Sequence, residues 1–292
     1  LAGTLGLLAL SVPLLQAPPV RRFALAQAVR MLARQGVDFN AAEVDYNLFN
    51  LTATLGHVTV RPRQTPVMPP DLPPLFQADQ VHVELSLWKL LHGGFYLEDA
   101  WIRNPSIHLV IDVTGRDNIP HLPATSGSSA DTDYLIRKLR VTGGSFRFEE
   151  RRQQIDLSLP LWQLAIEGNW LTREHLVRLE AQQPGRLAFQ RRSLPIPALS
   201  VEVMLQTNAL DIHGAKLGLG DSIVAFSGRL DNFQDPRYGF KAETELALRS
   251  LTQFAGVPQR LSGTVHASLT ATGPLAQMRA TLVKRAAELK SC

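Results

Sequence analysis

From Val37 onward apolar residues recur at every second position, and they do so in segment after segment. Val81, Val83, Leu85 and Leu87 alternate with His82, Glu84, Ser86 and Trp88. Ile107, Leu109 and Ile111 alternate with His108 and Asp112, and Phe146 and Phe148 with Arg147 and Glu149. Ile155, Leu157 and Leu159 are followed by Leu199, Val201, Val203 and Leu205, and then by Tyr238, Phe240, Ala242, Leu246 and Leu248. Leu261, Val265, Ala267 and Leu269 close the series. A strand has a side-chain period of two, so each segment is a ribbon with one apolar and one wet face. Alternation this persistent predicts a mainly β chain built on antiparallel sheet.

Turn signals separate the segments: Gly93-Gly94, Gly115, Gly143-Gly144, Gly168-Asn169, Pro184-Gly185, Gly214, Gly220-Asp221, Asp235-Pro236 and Gly273-Pro274. Residues 62–74 hold six of the 19 prolines and read as a long loop. Residues 121–133 are small and polar, and the main boundary is placed there. A loose repeat relates LSLWKLLHGGFYLEDAWIRNPSIHLVI to YLIRKLRVTGGSFRFEERRQQIDLSL, Gly-Gly on Gly-Gly, with a third variant over Leu210–Leu230. Repetition of a strand–turn–strand unit suggests an elongating sheet or a solenoid-like stack.

The apolar face of such a sheet has to be covered. Little helical periodicity follows Gly36, apart from short pieces near 86–92 and the tail. Two halves of sheet facing each other as a sandwich is the arrangement that pattern alone favours. The other is an open trough whose lining meets acyl chains, each buried methylene contributing ~0.8 kcal/mol. Periodicity does not separate the two.

Residues 1–15, LAGTLGLLALSVPLL, carry no charge. As a helix at ~1.5 Å per residue they cover roughly 23 Å, short of the ~30 Å hydrocarbon core. Leu at position 1 predicts that the natural chain starts further upstream, so the leading expectation is a transmembrane anchor with its front missing. A signal-peptide core and a buried helix are the alternatives. Arg21 and Arg22 follow the apolar run, which by the positive-inside rule would place the downstream side in the cytoplasm. After Pro18-Pro19, Leu25, Val29 and Leu32 predict a helix that stops at Gly36, either capping a sheet end or lying on a membrane surface. The tail, with Met278, Leu282 and Leu289 apolar against Lys284, Arg285 and Lys290, reads as a polar helix. The expectation is a truncated or frame-shifted end, the alternative a cap over an exposed sheet edge. The domain plan is therefore 1–19 anchor, 20–120 helix plus strands, 121–133 linker, 134–274 repeated sheet and 275–292 tail.

Chemistry-bearing patterns are scarce. Lys and Arg exceed Asp and Glu by 30 to 26, and residues 1–63 account for three of the four net charges. That leaves no concentrated basic face for nucleic acid. Cys292 is the only cysteine, so an internal disulfide and a multi-cysteine metal site are excluded. The eight histidines form no metal-ligand spacing. Asp112-Val113-Thr114-Gly115 reads as a turn between strands, and no nucleophile elbow or phosphate loop is present. The chain is expected not to be an enzyme and to carry no cofactor or metal.

Several of these segments together resemble a known family. PPVRRFALAQAVRML, then LPPLFQADQVHVELSLWKLLHGGFYLEDAWIRNPSIHLVIDVTGRDNIP, is similar to the N-terminal part of the AsmA-like family, which includes the translocation and assembly module subunit TamB. Ala78 to Leu91, Gly93-Gly94, Asn104-Pro105, Ile107 to Ile111, Gly115 and Asn118-Ile119-Pro120 carry the match. VAFSGRLDNF and LSGTVHASLTATGPL resemble its repeated β units, and the likeness covers roughly residues 1–275. The resemblance implies a single-pass anchor in the inner membrane of a diderm bacterium, with the bulk of the chain in the periplasm. It also implies a long, twisted antiparallel sheet curled into a taco-like open trough. The functions it implies are phospholipid movement between membranes, envelope homeostasis and outer-membrane protein assembly. Family members are usually much longer, and Arg21-Arg22 sits on the side the charge rule disfavours.

The leading expectation is a periplasmic β protein that shields lipid acyl chains, with membrane lipids and an outer-membrane assembly protein as partners. The expected lining is Val81, Val83, Leu85, Leu87, Leu109, Ile111, Phe146, Phe148, Leu157, Leu159, Val201, Val203, Leu205, Phe240, Leu246 and Leu248. Ordinary core is the competing reading for each. One rival is an assembly factor that works through a sheet edge without lipid. Another is a secreted β-rich hydrolase, which needs clustered carboxylates in a cleft.

Overall fold

The computed structural model describes residues 37–47, 50–62, 72–86, 95–120, 134–255 and 262–274. The expected anchor, the helix after it, Leu87, the 121–133 segment and the tail lie outside the described residues.

Seventeen strands form one large curved sheet, with one short helix, α1 (Leu248–Ala255), among the described residues. The strands occupy only twelve rows, because five rows hold two strands end to end. The first row is β1 (Val37–Asn40) and β2 (Glu43–Asn47), both paired with β3 (Thr52–Pro62). Then come β4 (Phe76–Leu85), a fourth row of β5 (Phe95–Arg103) and β6 (Ser106–Ile111), and a fifth of β7 (Tyr134–Ile136) and β8 (Lys138–Glu150). β9 (Ile155–Asn169) is the sixth row. β10 (Glu174–Ala181) and β11 (Gly185–Phe189) are the seventh, β12 (Arg192–Ile196) and β13 (Leu199–Gln206) the eighth. β14 (Ala209–Leu219), β15 (Ser222–Asp231), β16 (Arg237–Ala247) and β17 (Thr264–Pro274) complete the order as hairpin-linked neighbours. At ~4.8 Å per row the sheet spans roughly 53 Å, less than the roughly 70–85 Å that a count of strands suggests.

One step is parallel, against the expectation of antiparallel pairing throughout. β5 pairs with β7 and β8, and β6 with β8, each residue meeting the one 39 positions further on: Phe95 with Tyr134, Ile111 with Glu150. A parallel neighbour needs a crossover of about a dozen residues or more, and the chain between Ile111 and Tyr134 supplies it. The ladder therefore runs unbroken between the strands on either side of residues 121–133. The constant offset also corrects the repeat. Asn104-Pro105 is matched to Gly143-Gly144, not Gly-Gly to Gly-Gly.

Gly143-Gly144 is accordingly no turn but a bulge inside β8, where the register shifts. Gly143 has φ +70, and a Cβ there would run into the Asn104 side chain. A Cβ at Gly144 would meet the Trp162 indole, which lies across it. Gly214 and Gly273-Pro274 are likewise within strands. Leu248 does not continue β16. It begins α1, its amide bonded to the Gly263 carbonyl. Leu248, Leu251 and Ala255 have helical spacing, which competes with alternation over so short a stretch.

The Asn118-Ile119-Pro120 motif has a structural task. Asn118 is fully buried beside Val110. Its Oδ1 accepts from the Val110 amide at 2.8 Å, and its Nδ2 donates to the carbonyls of His108 at 2.6 Å and Pro73 at 3.1 Å. One side chain thus saturates the edge of β6 and ties down the end of the proline-rich loop. Asn118→Ala strands these groups and is expected to cost at least about 2 kcal/mol. A thermal melt followed by circular dichroism checks this, and an unchanged midpoint would contradict it.

Candidate functional site: the apolar face of the sheet

Directly opposed residues on neighbouring strands share a face, so the apolar face can be traced from row to row. Val81 lies between Leu55 and Ile102, and Val83 between Ala53 and Ala100. Ala100 and Ile102 meet Leu139 and Val141, which face Ile166 and Leu164. These face Val177 and Leu179, which face Val203 and Val201. Ile212 and Ala215 follow, then Phe226, then Phe240 and Ala242, and finally Leu269 and Ala271. A second stripe runs nearer the other strand ends, through Phe76, Ile107, Phe146 and Leu159, with Leu109, Phe148, Leu157, Leu187 and Leu194 beside it.

The two stripes use opposite parities. The apolar set is even at Phe76 and Ala78 but odd at Val81 and Val83. It is odd at Leu139 and Val141 but even at Phe146 and Phe148, and it switches again between Leu159 and Trp162 and between Ile196 and Leu199. The switches lie on one line across the first eight rows, passing His57, Asp79, Asn104 and Gly143. His57 and Asn104 have φ near +50 and Gly143 has +70. Register is kept across His57, Asp79 and Asn104, so each strand changes parity in step with its neighbour, and the residues beyond stay on the face they would otherwise leave. The packing agrees: Phe39, Val60 and Phe76 from one stripe and Leu55, Val81 and Ile102 from the other all pack on Ala41, Val58 and Ala78. Both stripes therefore lie on one side of the sheet.

The expected lining falls largely on this face. Phe146 opposes Leu159 and Phe148 opposes Leu157. Phe240 opposes Gly228 and stacks near Phe226 and Tyr238, with ring centroids 5.1 and 5.3 Å away. Leu85, Ile111, Val201, Val203 and Leu246 sit at positions of the same parity as their lining neighbours, all half-buried. Leu205 is 38% exposed. Leu248 stands in α1 and not in a strand, and Leu87 lies outside the described residues. Sequence reasoning missed Leu164 and Ile166 at the centre of the face because the switch after Leu159 breaks their alternation with Leu157, and it missed Val177 and Leu179 because Leu176 beside Val177 blurs the alternation of that strand. Few of these side chains are fully buried, which two sheets packed face to face would require.

The opposite face is wet and charged. Arg140 meets Asp99, Arg147 meets Asp156 and Glu149, Arg178 meets Glu202, Arg229 meets Asp211, and Lys241 meets Glu243. The Arg178 and His213 side chains hold the Glu202 carboxyl below the usual range. Each exposed pair adds little stability, but together they mark this face as solvent-facing. His82 stacks on Trp101 at 5.1 Å, with Arg103 over the same indole.

No group of three His, Cys, Asp or Glu is placed to hold a metal ion among the described residues. No helix among them is long and apolar enough to cross a membrane. Compared with family models and with curated proteins, the chain matches none.

His175 shares the apolar face, opposed to Gly168 and Leu205. Burial pushes its pKa below the ordinary 6.5. The fold thus favours the neutral ring, and below pH 6.5 the unfolded chain takes up the proton more readily. His175's contribution to stability is complete above that value and falls away as pH drops through it. Urea midpoints measured on either side are expected to show this loss, and His175→Leu to reduce it. An unchanged pH slope in that variant would contradict the assignment.

Proposed function

We propose that this chain is a non-enzymatic, AsmA-like protein of the bacterial envelope, held in the inner membrane by its N-terminal segment with the sheet in the periplasm. In this reading the curved sheet is an open, taco-like trough that shields or conveys phospholipid acyl chains between membranes and supports outer-membrane homeostasis. The observation that carries it is the continuous apolar face, half-exposed from β3 to β17 and kept on one side by parity switches that neighbouring strands make in step. At about 25 cal/mol per Å² of apolar surface, such a face gains by covering itself with hydrocarbon. It needs no specific polar residue to do so.

The full chain purified in mild detergent is expected to carry phospholipid detectable by extraction and mass spectrometry. Val203→Glu with Leu164→Glu is expected to lower the amount several-fold while the circular dichroism spectrum stays that of a β protein. Absence of phospholipid from the parent protein would contradict the proposal.

One observation favours a second reading, assembly through the sheet edge. β17 pairs with β16 along all eleven residues, contains no Lys, Arg, Asp or Glu, and exposes Val265 at 41% and Leu269 at 65%. Sheet edges of that kind invite a further strand. Photocrosslinkers at Ser268 and Thr270 that capture a protein, with none of the lining positions capturing lipid, would favour this reading over the trough.

A further inference from the structure

Two hairpin tips on one rim carry positive charge that the sheet does not neutralise. The β8–β9 tip is Arg151–Gln154 and the β11–β12 tip is Gln190-Arg191. The Gln190 amide donates to the Gln154 carbonyl at 2.8 Å, so the tips are stitched side by side. Residues 150–154 and 190–192 hold four arginines and one carboxylate, Glu150. That carboxylate is folded back onto its own tip, where it accepts from the amides of Arg152 and Gln153. The neighbouring Glu149 is already shared by His108, Arg147 and Arg151. Arg192 donates to the Phe254 carbonyl of α1 at 3.4 Å.

The guanidiniums of Arg152 and Arg191 remain, exposed and with no hydrogen-bond or ion-pair partner among the described residues. Elsewhere Arg137, Arg140, Arg147, Arg178 and Arg229 each meet a carboxylate across strands or nearby, and the exposed Arg186 and Arg237, which have no such partner among the described residues, do not sit on the paired tips. Below the tips Ile155 opposes Phe189 and Leu157 opposes Leu187, the start of the second apolar stripe. Two unneutralised guanidiniums thus stand at the lip of an apolar surface, the arrangement an amphiphile with an anionic head requires. A guanidinium fork suits phosphate oxygens in particular.

We infer that Arg152 and Arg191 hold the phosphate of an anionic lipid whose acyl chains lie on the apolar face beneath, a headgroup subsite that rests on the lipid-carrying reading above. The substrate class is then a phosphate-bearing diacyl lipid with net negative charge, in preference to a neutral diacylglycerol. Because the site is exposed, the preference weakens as salt is raised.

Native mass spectrometry of the full chain titrated with dihexanoyl phosphatidic acid, dihexanoylglycerol and glycerol phosphate tests this. Phosphatidic acid is expected to bind about tenfold tighter than dihexanoylglycerol, a margin in keeping with charge-assisted hydrogen bonds. Glycerol phosphate is expected to bind far more weakly, because it has no chains. Arg152→Gln with Arg191→Gln is expected to erase the margin while leaving dihexanoylglycerol binding and the thermal midpoint unchanged. Equal binding of the two lipids, or a margin that survives the double substitution, overturns the subsite and leaves the trough standing. Glycerol phosphate binding as tightly as phosphatidic acid also overturns it, in favour of a soluble phosphate. If neither lipid binds, the trough falls with the subsite.

Discussion

The structure depends on keeping the apolar side chains of twelve rows on one side of a bending sheet. A strand shifted by one residue turns its whole apolar set to the other face. Here the shift occurs in row after row along one line, through His57, Asp79, Asn104 and Gly143, so the change in one strand is answered in the next. The positive φ of His57 and Asn104 is the conformational cost of that line, and Gly143 adopts it without strain. The return is a face on which Phe146 and Val141, of opposite parity in one strand, still belong to the same surface. The pairing of Gly144 with Trp162 shows the same economy: the missing Cβ lets the indole lie flat instead of standing off the sheet.

Among the described residues, the two edges of the sheet differ in a way that bears on both readings of function. The first row is short, broken between Asn40 and Glu43, and carries Asp38, Glu43 and Asp45. Those are devices that discourage further strands. β17 has none of them. The two rims differ as well. One holds the arginine-rich tips at 151–154 and 190–191, while on the other the β9–β10 turn exposes Trp170 and Leu171 and the β15–β16 turn exposes Phe233. The sheet is therefore polar in three senses: face against face, edge against edge and rim against rim.

Much of the fold was legible in the residues. Alternation located β4, β6, β8, the first half of β9, β13, β16 and β17, and Gly220-Asp221 marked the β14–β15 turn. Alternation reports the period of a strand and which residues share a face. It does not report the neighbour. That is why the parallel pairing of β5 and β6 with β7 and β8 was missed, although Asn104-Pro105 and Gly143-Gly144 stand 39 residues apart as matching breaks. The centre of the candidate site was missed for a related reason. The extra residue near Pro160-Leu161 makes Leu157 and Leu164 look as if they belong to opposite faces, and only the cross-strand register reunites them. Leu248 shows the limit at the other end, since a few residues of helical spacing cannot be told from the tail of a strand.

The central claim is that hydrocarbon, not protein, covers the apolar face. Photoreactive residues placed at Val203 and at its neighbour Glu202, irradiated in the full chain inside cells that produce it, test it most directly, because the two positions are adjacent in one strand and occupy opposite faces. The account predicts that position 203 captures lipid and position 202 does not. Capture of lipid at neither position, or equally at both, would contradict it.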